Sequence, residues 1–170
     1  MDLNHLVGGA VNGAILALVA IAVPRFTRHI LAAVLAVAAL PYVHFALQTR
    51  MGGAWIAVEL TGVGIYGYAA LRGFRGSAWW LVAGWALHPI WDVALHLAGP
   101  GRSFAPGWYA TSCLTYDLMV AGIAAIAILI GTHLTASPSR ITTRTVVSPL
   151  RLPACISSCT ACTAPGARAA

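Results

Sequence analysis

The chain has 170 residues, of which 59% are hydrophobic and only 8% charged, with a mean hydropathy of +0.81; soluble domains carry about 25% charged residues. That composition excludes an ordinary soluble domain and predicts a protein whose main partner is the lipid bilayer. All 10 basic residues are Arg, scattered among loops and tail, so the net charge of +6 makes no patch for nucleic acid.

The opening "MDLNHLVGGAVNGAILALVAIAV" lacks the basic region of a cleaved signal, and its apolar run is long enough to span. A retained first helix is expected over residues 3–23, with Gly9 and Gly13 as a small-xxx-small pair suited to close packing and to a homo-oligomer through that face. A second span, residues 30–48, carries Pro41 and His44, and a third, 54–71, carries Glu59. The fourth, 78–98, contains "HPIWDVALH", in which His88, Asp92 and His96 are spaced four apart; the fifth, 108–131, carries Tyr109, Cys113 and Asp117. The separators "PRFTRH", "TRMGG", "RGFRG" and "GPGRSFAPG" are short, which fits an up-and-down bundle. Trp55, Trp79, Trp80, Trp108 and Tyr109 fall near span ends, where aromatic belts sit. The expected fold is therefore all-α, a polytopic bundle of about five transmembrane helices over residues 1–135. From 136 to 170 a Ser/Thr/Pro/Arg-rich tail without periodicity reads as disordered. Within it Cys155, Cys159 and Cys162 reproduce a spacing used for iron–sulfur clusters, but a tail cannot supply the domain such a cluster needs.

Five spans put the first loop (Arg25, Arg28), the third loop (Arg72, Arg75) and the tail on one side, against Arg50 and Arg102 on the other. The richer side is expected in the cytoplasm of a cell with an inner membrane, which leaves the N-terminus outside.

Ionisable side chains inside spans cost about 2.5 to 3.5 kcal/mol each at a helix centre and default to function. With a rise of about 1.5 Å per residue, Glu59, Asp92 and Asp117 fall roughly 4 to 6 Å outward of the midplane, His88 at it, and His44 and His96 nearer the surface. His5 lies on the same side. One shared site built from His44, Glu59, His88, Asp92, His96 and Asp117 is expected, because these residues share a depth. On the fourth helix a step of four advances about 40° beyond a turn, so His88, Asp92 and His96 can line one face, and Pro89 and Pro41 can open a cavity beside them.

No Arg or Lys lies deep in a span, so the acids need a protonated His, a metal ion, a bound proton or a cationic substrate. A metal such as Zn or non-haem Fe or Mn would draw on Asp92, His96, Glu59 and Asp117; His88 to His96 spans about 12 Å, too far for all three residues of the fourth helix to meet one ion easily. A proton- or cation-coupled carrier would use Glu59 and Asp92, though no inverted repeat supports one. Haem held by two imidazoles has nothing specific in its favour. A purely structural network of hydrogen-bonded acids and imidazoles is the remaining reading. The substrate, small molecule or lipid, is not legible.

The segment "GWALHPIWDVALH", with His88, Pro89, Trp91, Asp92 and His96, resembles a family of small bacterial integral membrane proteins, a domain of unknown function. The resemblance covers the five-span region and brings no activity with it. It implies that such chains end soon after the last span, which places the cysteine-bearing tail outside it.

Overall fold

The computed structural model describes residues 2–131. Helix α1 (Leu3–Ala22) starts where the Asp2 side chain accepts a hydrogen bond from Asn4 N at 3.0 Å, and ends just before Pro24. α2 (Thr27–Ala38) is tied back to α1 by Thr27 Oγ1, which donates to Ala20 O at 2.8 Å. α2 gives way at Ala39 to α3 (Leu40–Gln48), whose second residue is Pro41. Proline has no N–H to return to the carbonyl four residues earlier, here that of Val37, so the break sits where the chemistry requires it. α2 and α3 together make one membrane-length leg, Thr27–Gln48.

α4 (Gly53–Arg75) carries Arg72 and Arg75 in its last turn, where positive charge suits the helix dipole. α5 (Trp79–Asp92) runs through Pro89 without ending and continues into a π-helix, Val93–Leu97, closed by Ala98 N donating to Val93 O at 2.8 Å. A 3₁₀ turn, Pro100–Ser103, leads to α6 (Gly107–Leu129). No strand occurs among the described residues. Among the described residues, four legs are long and apolar enough on their own to cross a membrane. The fifth is α5 with its π extension.

α5 packs between α4 and α6, with α1 laid against the far side of α6 and α2 against α4. Leu31, Leu35, Leu81, Trp85 and Val120 fill the centre with a run of alanines, while Val7, Val11, Ile15 and Leu18 of α1 and Ile90 and Leu87 of α5 point outward. An apolar exterior around a core of small residues is the packing lipid favours. Glycines set the closest approaches. A Cβ at Gly9 would collide with Ser112 O and Thr115 Oγ1, and one at Gly13 with Tyr116 O. The Gly9/Gly13 face expected to join copies of the chain is thus filled by α6 of the same chain, because α6 offers backbone close enough to need the missing side chains.

The tail, with Cys155, Cys159 and Cys162, lies outside the described residues, as does His133.

Candidate functional site

The buried stripe of α5 and its π extension carries His88, Asp92 and His96, all fully enclosed. His88 is the hub of an inner cluster. Its Nδ1 lies 2.8 Å from Asp117 Oδ2 of α6 and 3.5 Å from Asp92 Oδ2 on its own helix. Donor atoms of His88, Asp92 and Asp117 all fall within 4.8 Å of one another. Tyr66 of α4 closes this cluster from the side, its ring edge-on to His88 at 4.6 Å and its hydroxyl donating to Leu87 O at 3.3 Å.

One turn further along, His96 forms a second pair. Its Nε2 lies 3.5 Å from Glu59 Oε2 of α4, and both side chains are buried. Tyr42 of α3 stacks flat on the His96 ring, centroids 3.8 Å apart and planes 9° from parallel, and Phe104 meets the ring edge-on at 5.7 Å. Gly101 in the 3₁₀ turn presses on the same imidazole: an added Cβ would fall 2.6 Å from His96 Nδ1.

Several polar atoms of this core make no hydrogen bond: Oε1 of Glu59, Nε2 of His88, Nδ1 of His96, Oδ1 of Asp92 and the Tyr42 hydroxyl, while Asp92 Oδ2 and His96 Nε2 have only their 3.5 Å contacts to His88 and Glu59. Buried polar groups left unpaired cost about 1 to 3 kcal/mol each, more when charged, so such a concentration points to a ligand, ion or water that completes them.

The sequence-expected residues therefore sort into three groups. Glu59, His88, Asp92, His96 and Asp117 do share the core. Of the expected ligand set, Asp92 and Asp117 lie together with His88, while His96 pairs with Glu59. His44 is exposed and leaves the site altogether. Tyr42 and Ala46 hold the inner face of α3, and His44, two residues from either, points about 200° away at about 100° per residue. His5 lies near Asp2 and Trp108 at the end of α1, apart from both clusters.

A family model matches residues 4–133, more than half of the chain. The chain belongs to a family of unknown function, DUF6010. No curated protein and no solved structure matches it. The DUF6010 region contains every residue of both clusters and stops short of the three tail cysteines.

Sequence reasoning about this DUF6010 chain missed Tyr42, Tyr66, Phe104 and Gly101. Tyr42 and Tyr66 carried one available signal, a phenol within a span, which when buried usually seeks a polar partner. Gly101 and Phe104 carried none, since they sit in a connecting turn whose fold back onto His96 is tertiary.

Proposed function

We propose that the chain is an intramembrane metal-binding protein in which His88, Asp92 and Asp117 hold one divalent ion of the Zn, Fe or Mn class. The observation that carries this reading is the convergence of three metal-competent donors from two helices within 4.8 Å, in a core where several neighbouring polar atoms make no hydrogen bond. Charge counting supports a divalent ion. Two ionised aspartates, a neutral His88 and one M²⁺ sum to zero, and a protonated His96 beside an ionised Glu59 does the same. Without the ion, three carboxylates face two imidazoles, so even with both imidazoles protonated the core needs one further positive charge or bound proton.

The spacing fits. Ligand bonds of about 2.0 to 2.2 Å in a tetrahedron put donors about 3.4 Å apart. The His88 to Asp92 separation of 3.5 Å already matches, and the 2.8 Å between His88 and Asp117 would widen by roughly half an ångström. One nitrogen and two oxygens suit Zn, Mn or Fe(II) better than a soft ion. Three protein donors also leave a position for water or substrate, the arrangement used for Lewis-acid catalysis and water activation.

Elemental analysis of protein purified in mild detergent without chelator tests this reading, with about one equivalent of metal expected for a mononuclear site. Asp92→Asn and Asp117→Asn should each lower the content at least about tenfold. His96→Ala, Glu59→Gln and His44→Leu should leave it in place. Metal-free wild type that melts at a lower temperature after Asp117→Asn would establish a structural network instead.

A further inference from the structure

A cleft of about 610 Å³ lies between the first half of α1 and the end of α2, with α6 as its floor. α1 and α2 are pinned together at their connection by Thr27, and both helices line the cleft toward their other ends. Asn4, Gly8 and Asn12 form one edge, spaced four apart on α1; Val34 and Ala38 form the other; Asp117 lies at the deep end. At about 1.5 Å per residue, the passage from Trp108 near the membrane surface down to Asp117 is roughly 13 Å.

Asn12 is out of place for a lipid-facing side chain. It stands in the middle of a membrane-length helix, is exposed, and has its amide nitrogen bonded only to Gly8 O at 2.9 Å. An amide there is costly against hydrocarbon and favourable against a polar visitor. The outer flanks of the opening are apolar, with Val7 and Val11 on α1 and Val37 on α2 all exposed. Polar groups along the inside and hydrocarbon-compatible groups along the rim suit a molecule whose head descends the cleft while its tail stays in the bilayer.

We infer that this cleft admits a single-chain amphiphile sideways from the bilayer, its oxygen-bearing head group descending past Asn12 toward Asp117. This rests on the metal reading for what the head group meets, since an oxygen donor would take the open position on an ion bound beside Asp117. The lining of the cleft includes Asp117, a member of the inner cluster.

The probe is a palmitic acid analogue with a diazirine close to its carboxyl group, photolysed with full-length protein in lipid nanodiscs and mapped by peptide mass spectrometry. Adducts are expected on residues 8–12 and 112–116, displaced by unlabelled palmitate and not by acetate. A Cβ at Gly8 meets nothing within 4 Å, so Gly8→Leu should fold and fill the passage. That variant, and Asn12→Leu as a second plug, should reduce these adducts about tenfold, equivalent to about 1.4 kcal/mol, with bound metal unchanged. Displacement by acetate would overturn sideways entry by showing an aqueous route. Adducts that both plugs leave undiminished would overturn the cleft as the binding place and mark them as surface lipid. Wild type that gives the plug-sensitive adducts but carries no metal would leave the cleft standing and remove the triad as an ion site.

Discussion

His96 illustrates what a single residue's surroundings add to its position in the sequence. Four contacts confine it: Glu59 at Nε2, Tyr42 on one face, Phe104 on an edge and Gly101 against Nδ1. Gly101→Ala should therefore act through His96. The new methyl would sit 2.6 Å from the ring nitrogen and 2.7 Å from Leu95 O, and overpacking of this kind costs typically about 1 to 3 kcal/mol. The expected outcome is a lower melting temperature in detergent with metal content retained, since the inner cluster lies a turn away. Depth alone could place Glu59, Asp92, His96 and Asp117 in one layer, because depth follows from counting residues along each span. Which carboxylate meets which imidazole depends on the rotation of α4 and α6 about their axes, and nothing local in the sequence records that. His44 failed for the same reason. It has the right depth and the wrong azimuth.

At the level of elements, the spans were legible almost to their ends: residues 3–23, 54–71 and 108–131 became Leu3–Ala22, Gly53–Arg75 and Gly107–Leu129. Hydrophobic runs bounded by Arg, Gly and Pro define such limits directly. Pro41 announced the break at Ala39. The π-helix at Val93–Leu97 had no such announcement, since Pro89 lies upstream of it within regular α-helix. Its wider turn nonetheless matters, because π segments re-aim the residues that follow, and His96 sits inside this one. The seam between α1 and α6 is the element most exposed to mutation. Gly13→Leu would drive a side chain into the Tyr116 backbone, which cannot yield as a flexible side chain would. A loss of about 2 to 3 kcal/mol or more is expected, read as a melting temperature well below that of Gly8→Leu, where the same side chain enters open space.

For the whole molecule, the unsettled quantity is which end of the bundle faces which side of the membrane. The first and third loops lie at the same end, where Arg28 Nη1 donates to Gly76 O at 2.7 Å. Trp55 and Phe104, whose rings meet at 5.3 Å, bring the second and fourth loops together at the opposite end. Arg25, Arg28, Arg72 and Arg75 thus oppose Arg50 and Arg102, before any tail arginine is counted. Arginines in short loops set orientation, and the richer end is retained in the cytoplasm. A reporter active only outside the cell should accordingly work when inserted between Gly99 and Gly107 and fail when inserted near Arg25. Truncation after Gly131 should preserve that pattern, because the loops still stand four to two. Replacing Arg72 and Arg75 by Gln in the truncated chain leaves two against two, and both insertions should then report a mixed population. If the truncated double variant keeps a single orientation, loop charge is not what orients this bundle.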